Sequence, residues 1–347
     1  MITYWVFYFL LSTMAIFYKD TNQKIFWFAI GIILSVFIGF RHEIGGDWPS
    51  YIRHYNEMQY YDYVSIFTRG DPGYYLINLF AYNNDLTIYF VNFLVAIIFC
   101  TGLIMFARKQ FNPWLVLAVA FPYLIIVVSM GYTRQAGAIG LILMGISLLD
   151  TKKGFYYLIL FVFLAALFHK SAVLVLGLVM FSKDGSRLFK FIALSIIGFG
   201  MYNAFLVDFQ DRLIANYIEA QYESSGAMIR VIMNALPGLL LLIFRNEWKK
   251  YYEDYNFWKI LALISIISIL LVNFSSTAVD RVALYIIMIQ LVVFARLPLL
   301  LKNHLSISTT TILIFLYYAL IQFVWLNFAS HAPAWIPYQN ILLYDLW

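Results

Sequence analysis

Residues 155–182 read FYYLILFVFLAALFHKSAVLVLGLVMFS, an apolar run interrupted by His169-Lys170-Ser171. A membrane crossing needs about 20 apolar residues, and each half of this run is shorter than that. Lys152 and Lys153 precede the run and Lys183 follows it, and the positive-inside tendency places both groups in the cytoplasm. The run is therefore predicted to enter the membrane and return as a broken hairpin, with its turn in a protein-lined cavity.

A single long helix over 155–182 is the alternative. It would invert every later connection and place Arg245, Lys249 and Lys250 outside, against the positive-inside tendency. The hairpin instead leaves eleven of the twelve lysines on the cytoplasmic side and both termini outside. The predicted external segments are then a loop at 41–86 with an amphipathic or re-entrant segment, a second loop at 207–227 and an aromatic tail at 329–347.

The composition indicates crossings throughout the chain. Of 347 residues, 63% are hydrophobic and 12% are charged, and the mean hydropathy is +0.80. A soluble domain carries about 25% charged residues, so the surplus apolar surface must face lipid. We predict an all-α polytopic integral membrane protein with about 12 transmembrane helices in one transmembrane domain, 1–347. Besides the hairpin, the predicted spans are 2–18, 25–40, 87–107, 113–131, 134–150, 187–206, 228–245, 258–275, 281–301 and 307–328.

Several classes of chemistry lack their sequence signals. Cys100 is the single cysteine, and the five histidines are scattered, so neither a disulfide nor a metal-ligand set is expected. The sequence contains no phosphate-binding Walker loop and no GxSxG motif. We therefore expect no cofactor, no metal and no nucleotide-driven reaction, and no nucleic acid as a partner.

Arginine is distributed differently from lysine. Seven of the eleven arginines map to the outer face, where the positive-inside tendency disfavours them. The planar guanidinium binds phosphate through two parallel hydrogen bonds and keeps its charge, which suits a diphosphate. The alternative is that these side chains reach water at helix ends and pair locally with Asp47, Asp71 or Asp280. The outer set comprises Arg41, Arg53, Arg69, Arg134, Arg212, Arg230 and Arg281.

Two short motifs carry candidate catalytic groups. The segment 41–51, RHEIGGDWPSY, follows an apolar helix, and its glycines allow close approach to a ligand while Asp47 offers a proton acceptor. Its alternative role is a helix-exit turn in which Asp47 caps a helix that starts at Pro49. His169 and Lys170 lie at the predicted intramembrane turn, where ionisable groups are costly and indicate function. A turn that reaches water is the alternative for this pair.

Sugar recognition is expected from aromatic and amide side chains. A tyrosine offers a ring face to a pyranose and a hydroxyl to its polar rim. Tyr51 and Tyr74 are candidates on this ground, although tyrosine is also typical of the membrane interface. Gln135 follows Arg134 at the start of a predicted helix, where an anion offsets the unfavourable position of a cation. We expect Tyr51, Tyr74 and Gln135 to bind sugar.

Together these residues resemble the EpsG family, which is similar to Wzy-type polymerases of bacterial surface polysaccharides. The matching features extend from about residue 30 to residue 290 and form a specific pattern only as a set. They are Arg41, Gly46-Asp47, Tyr51, Gly73-Tyr74, Arg134-Gln135, His169-Lys170-Ser171, Arg230 and Arg281.

The resemblance implies a C-type membrane glycosyltransferase of the inner membrane, with its active site facing the periplasm or outside. It would move a growing glycan from undecaprenyl diphosphate to the non-reducing end of another lipid-linked repeat unit. Undecaprenyl-diphosphate-linked oligosaccharide is the implied substrate, and a chain-length regulator the implied protein partner. Arg41, Arg134, Lys170, Arg230 and Arg281 would bind the diphosphate.

Either His169 or Asp47 would remove the acceptor's proton. We favour His169, because nearby arginines should depress the pKa of an aspartate and weaken it as a base. The rival functions are a flippase or transporter of lipid-linked oligosaccharide and a transferase of a single sugar or acyl group. A transporter of this size should show two similar halves, and the sequence shows no such internal symmetry.

Overall fold

The computed structural model describes residues 1–17, 23–181 and 226–346, together with 186, 188, 191–192, 194–196 and 198–199. Much of the predicted span 187–206 lies outside the described residues. Most of the predicted loop 207–227, which includes Arg212, also lies outside them.

The structure is all-helical, with 80% of it in helices and no strand among the described residues. The helices are α1 (Ile2–Phe17), α2 (Lys24–Gly39), α3 (Trp48–Asn56), α4 (Pro72–Asn83), α5 (Ile88–Ala107), α6 (Pro113–Ala120), α7 (Thr133–Ser147), α8 (Gly154–Phe168), α9 (Ala227–Ile243), α10 (Arg245–Tyr251), α11 (Tyr255–Leu271), α12 (Ser276–Ile286), α13 (Met288–Leu300) and α14 (Ile307–Phe328). A π-helix (Phe121–Ser129) continues α6, and 3-10 helices cover Glu57–Tyr60, Ser65–Thr68, Lys170–Phe181, Ala332–Trp335 and Ile341–Leu346.

By length and composition, the described residues contain two to four candidate membrane spans. α5 and α14 are each long and apolar enough to cross alone. The pairs α9–α10 and α12–α13 pass the same test jointly but are bent by 76° and 44°. Several other apolar helices are shorter, so this criterion gives fewer spans than the sequence predicted.

Element boundaries agree best where a long helix stands alone. α14 covers the predicted 307–328, and α5 begins one residue after the predicted 87. The break at His169 also falls where the sequence predicted it, because α8 ends at Phe168 and residues 170–181 pack back against α8. The predicted span 281–301 is instead two helices, which begin at Ser276 and bend at Ile287. The predicted external loop 41–86 contains α3 and α4.

The centre of the bundle consists of α6, its π-helical continuation, α7 and α13. Every residue of α6 and of the π-helix is buried, whereas α14 exposes leucine and phenylalanine side chains on its outer face. α5 and α7 approach closely through small residues: a Cβ at Gly102 would lie 1.9 Å from the carbonyl oxygen of Gly140. Small residues allow such backbone contact between apolar helices.

The connections gather at two ends of the bundle. At one, which we call the arginine end, residues 40–47, the start of α4, the start of α7 and the turn at His169 meet through side-chain hydrogen bonds. At the other, which we call the lysine end, Asn112 Nδ2 donates to the carbonyl of Ala15 (2.8 Å) and the Lys302 ammonium lies 5.0 Å from the Tyr251 ring centroid.

A buried ion-pair network that the sequence analysis missed ties the lysine end together. Arg296 Nη1 donates to Asp254 Oδ1 (2.8 Å) and Arg296 Nε donates to Gln110 Oε1 (2.9 Å). The Asp254 carboxylate also accepts the indole N–H groups of Trp248 (3.1 Å) and Trp258 (2.9 Å). Removing one partner of such a pair costs about 3–5 kcal/mol, so Arg296 has a structural role far from the arginine end.

Candidate active site

Arg41 leaves the end of α2 and lies inside the protein. Its side chain is fully buried, and its guanidinium donates to the Ile38 carbonyl (2.9 Å) and to Thr133 Oγ1 (2.8 Å). The Trp48 ring centroid lies 5.9 Å from the guanidinium carbon. Arg41 thus joins the exit of α2 to the start of α7, and its positive charge acts from below the surface.

Gly45 holds the following turn against the start of α7. Its φ is +104°, and a Cβ there would lie 2.7 Å from the carbonyl oxygen of Met130, so only glycine fits without strain. The sequence predicted that the backbone here would approach a ligand closely. At Gly45 the backbone instead packs closely against the protein's own backbone at Met130. Gly46, by contrast, has no atom within 4 Å of the place where its Cβ would lie.

The C-terminal tail fixes the same turn from the opposite side. The backbone N–H groups of His42 and Gly45 donate to the carbonyls of Gln339 (3.0 Å) and Ala334 (2.9 Å). Trp335 is buried beside Gly131 and donates its indole N–H to the Ile126 carbonyl (2.9 Å). The tail is thereby part of the support of the site, a role that the sequence analysis did not assign to it.

Asp71 connects three elements of the arginine end. Its carboxylate accepts from Arg134 Nη1 (2.7 Å) and, through a longer bond of 3.3 Å, from the backbone N–H of Lys170. Asp71 is buried, while the Arg134 side chain retains 31% of its exposure. One carboxylate thus orients a partly accessible guanidinium and also anchors the turn that carries His169.

Asp47 occupies the cap position before α3, but its side chain makes no capping hydrogen bond. Its carboxylate is reached by solvent yet lies among many protein atoms, and the charges of Arg134 and Arg281 act on it. Loss of water around the group raises the pKa of Asp47, and the two guanidinium groups only partly oppose that rise. The two arginines do act to lower the pKa of Asp47, as expected, but the expected net lowering was wrong because desolvation outweighs them.

His169 terminates α8 in an extended conformation and lies half-buried at the arginine end. Its Nδ1 is 2.6 Å from Ser171 Oγ and 3.4 Å from the Tyr285 hydroxyl. The positive charges of Arg281, Arg134 and Lys170 act on the imidazole. His169 and three of the predicted diphosphate ligands therefore share one region.

Arg230 and Arg281 complete the group from α9 and α12. Arg230 Nε is bound to Asp280 Oδ1, which confirms local pairing for this arginine. Tyr132, at the entry to α7, lies in the combined field of Arg230, Asp47, Asp280 and Arg281. Tyr132 is therefore near enough to the Arg230–Asp280 pair and to Asp47 for the charges of both to act on it.

The three predicted sugar ligands lie in the interior. Tyr51, Tyr74 and Gln135 are all buried, and the Tyr51 and Tyr74 ring centroids are 5.9 Å apart at an angle of 61°. Both polar atoms of the Gln135 amide have no hydrogen-bond partner among the described residues. The two tyrosines thus pack beneath the site in this structure and present no open ring face.

The structure brings most of the predicted residues to one end of the bundle and adds others. Among the described residues, no three His, Cys, Asp or Glu side chains come together as a metal-ligand set. The sequence did not predict a role for Tyr285, because nothing in the local pattern distinguishes it from other tyrosines in apolar runs. The sequence suggested Asp71 only as a local partner of an arginine. Its actual contacts, with Arg134 and Lys170, lie 63 and 99 residues away in the sequence, where no local pattern reveals them.

Comparison with known proteins gives one match. The EpsG family model matches residues 24–340, nearly the whole chain. The chain belongs to the EpsG family. EpsG is a Wzy-like polymerase family, so membership indicates a polymerase of exopolysaccharide synthesis. No curated protein and no solved structure matches this EpsG chain.

Proposed function

We propose that this EpsG protein polymerises lipid-linked glycan repeat units by transfer from undecaprenyl diphosphate. The observation that carries the proposal is the convergence of Arg134, Arg281 and Lys170 on His169, with Asp47 in the same field. These elements come from distant parts of the chain, and helix-end solvation alone gives no reason for them to meet.

The charge of the site suits a diphosphate that is esterified at both ends. The interacting cations are Arg41, Arg134, Lys170, Arg230 and Arg281, and the interacting carboxylates are Asp47, Asp71 and Asp280. The cations outnumber the carboxylates in this set, so the site favours an anion. A glycosyl diphosphate lipid carries two negative charges, whereas a glycosyl monophosphate lipid carries one.

The proposed reaction needs no nucleotide because the donor is already activated. The acceptor hydroxyl oxygen bonds to C1 of the donor sugar while the bond from C1 to the diphosphate oxygen breaks, and both electrons of that bond remain on the diphosphate. Guanidinium groups fixed before the reaction stabilise this developing charge. The proton of the acceptor passes to a base, for which we propose His169, and Asp47 is the second candidate.

Each remaining cation has a distinct place in the proposal. Arg134 and Arg281 contact the diphosphate directly, and Lys170 adds its charge from the turn. Arg230 acts through the α9–α12 contact and Arg41 acts from within the fold. Tyr51, Tyr74 and Gln135 shape the floor of the site, and sugar reaches them only after local rearrangement.

We propose that the site works without a metal ion.

We further propose about 12 crossings of the inner membrane, with the arginine end facing the periplasm or outside. The segregation of Lys109, Lys249, Lys250 and Lys302 to the opposite end supports this orientation, because lysine-rich connections stay in the cytoplasm. A lipid-linked substrate would then meet the site on the outer side.

Cysteine labelling tests the orientation. Gly46→Cys lies at the arginine end and Asn303→Cys at the lysine end, and both positions are exposed. Since Cys100 is buried, the parent protein should remain unlabelled. We expect a membrane-impermeant maleimide to label position 46 in intact cells or spheroplasts and position 303 only after permeabilisation. The reverse pattern would invert the proposed orientation.

The direct test of the function is glycan polymerisation by the purified protein from lipid-linked repeat units, without nucleotide. The same assay separates the polymerase from a flippase, since a flippase moves the lipid-linked unit and leaves its length unchanged.

A further inference from the structure

A chain of buried polar side chains crosses the bend between α12 and α13. The two helices are bent by 44° at Ile287. Asn234 on α9 donates through Nδ2 to the Ala283 carbonyl of α12 (2.8 Å) and accepts through Oδ1 from Gln290 Nε2 of α13 (2.6 Å). The Gln290 Oε1 in turn accepts from the Tyr318 hydroxyl of α14 (2.7 Å). One asparagine therefore binds both arms of the bend.

The direction of these hydrogen bonds is fixed at the backbone end. A backbone carbonyl can only accept, so Asn234 presents its NH₂ group to Ala283 and its carbonyl oxygen to Gln290. The Gln290 amide is then oriented in the same sense, with its oxygen towards the Tyr318 hydroxyl. We call Asn234, Gln290 and Tyr318 the bend clamp. All three are buried, as are many polar side chains that join apolar helices.

A second polar contact between α9 and α12 lies one helical turn away. Arg230 is four residues before Asn234, and it is bound to Asp280, which is three residues before Ala283. Arg230, Asn234 and Ala283 also line the same small cavity. Residues three or four apart share one face of a helix, so the two contacts together fix the rotation of α12 against α9.

Arg281 lies on the least buried part of α12. Every residue of 276–282 is half-buried, whereas 283–286 are buried, so packing restrains the Arg281 region least. Arg281 follows Asp280 and is turned from it by about 100° around the helix, to a different side from the contact with α9. Its charge acts on His169 and Asp47 at the arginine end. The rotation of α12 therefore decides where this guanidinium points.

From this geometry we infer that Asn234 and Gln290 are positioning residues that hold the α12–α13 bend and thereby direct Arg281 towards the diphosphate. The inference deepens the proposed function and rests on it for its catalytic meaning. Both amides are buried below the site and act through Arg281. Without the bend clamp α12 would be free to shift or rotate, and a displacement of about 1 Å at a catalytic group lowers a rate by about 10²-fold.

The test removes the bend clamp without leaving its members unpaired. Deleting one member would orphan its neighbours and destabilise the protein, whereas apolar groups of similar shape at all three positions are nearly neutral. The triple variant N234L/Q290M/Y318F makes this replacement. The Ala283 carbonyl keeps its bond from the backbone N–H of Ile287 (3.1 Å).

The matched control is T311V on α14. Thr311 is buried, and its hydroxyl donates to the Ile307 carbonyl of its own helix (2.8 Å). T311V therefore removes a buried hydroxyl from the same bundle without touching a contact between helices.

Hydrogen exchange of the full-length protein in lipid nanodiscs reads the bend clamp without any assay of polymerisation. We expect the amides of 276–286 to exchange severalfold faster in the triple variant than in the wild type, while those of α5 and α7 exchange as before. T311V should exchange as the wild type does. Unchanged exchange over 276–286 in the triple variant, or equally faster exchange in all helices, would overturn the inference.

Initial rates of chain extension give the second readout. We expect the triple variant to lower kcat by about 10²-fold at unchanged protein level. In an R281K background the same triple change should cause little further loss, because the group that it positions is already altered, whereas a general structural defect would multiply the loss. Wild-type kcat in the triple variant, or multiplied losses in the R281K background, would refute the positioning role. A wild type that forms no polymer, although its α12 exchange depends on the bend clamp, would refute the proposed function and leave the clamp standing.

Discussion

Replacing Arg134 by lysine will abolish long-chain polymer and leave single repeat units as the main glycan. Lysine keeps the positive charge and its ion pair with Asp71, but it loses the planar fork that binds two oxygens of a phosphate. Loss of one such donor lowers kcat by about 10²–10³-fold in comparable oxyanion sites. The measurement is the glycan length distribution on a gel, at matched protein level. Arg281→Lys should give the same phenotype, and Arg230→Lys should give a weaker one, because Asp280 already holds the Arg230 Nε.

The chain offers a matched control for this substitution. Arg53 lies on α3 at the same end, is exposed and donates to Ser50 Oγ (3.1 Å). Arg53→Lys should therefore leave chain length unchanged. Full-length polymer from Arg134→Lys, Arg230→Lys and Arg281→Lys alike would contradict a diphosphate site at the arginine end. Asp71→Asn is less informative, since breaking a buried ion pair costs about 3–5 kcal/mol and confounds catalysis with folding.

His169→Ala should lower the rate of chain extension by about 10²–10⁴-fold without loss of protein, as expected when a general base is removed. Diphosphate binding should remain, because the three cations around the ring are untouched. Initial rates with purified lipid-linked repeat units, at saturating and at low substrate, measure both effects.

Asp47→Asn decides between the two candidate bases. If His169 is the base, Asp47→Asn should alter KM more than kcat, since Asp47 then orients Arg134, Arg281 or a sugar hydroxyl. A loss of kcat in Asp47→Asn together with near-normal kcat in His169→Ala would assign the base to Asp47. The raised pKa of Asp47 makes that outcome chemically reasonable, so the pair of variants must be measured together.

Patterns in short stretches of sequence predicted the features of the fold that depend on neighbouring residues, such as helix limits and helix breaks. Hydropathy located α5 and α14 to within one residue, because each is a single uninterrupted apolar helix. The polar residues within the apolar run 155–182 predicted the break at His169, and α8 does end there. The different placement of lysine and arginine predicted that most of the outer arginines would gather at one end, and Arg41, Arg134, Arg230 and Arg281 do lie there, although Arg296 lies at the lysine end and Lys170 at the arginine end.

Features created by long-range pairing were not predictable in the same way. The bend at Ile287 divides an apolar run that contains no Gly or Pro at that point, and the helix start at Ser276 precedes the apolar residues. The roles of Asp71 and Tyr285 depend on partners about 100 residues away, which no local pattern encodes. The direction of the pKa shift of Asp47 was also not predictable from the sequence. Desolvation raises this pKa and the arginine charges lower it, and only the three-dimensional arrangement decides which effect is larger.

The measurement that tests the central proposal most directly is chain extension by the purified wild-type protein in liposomes, with undecaprenyl-diphosphate-linked repeat units, no nucleotide and a metal chelator. We predict a ladder of glycans and the release of one undecaprenyl diphosphate for each new linkage, with Arg134→Lys producing neither. The proposal would be contradicted if the wild type moved intact lipid-linked units across the bilayer without lengthening them, or lengthened them only when nucleotide or a divalent metal ion was supplied.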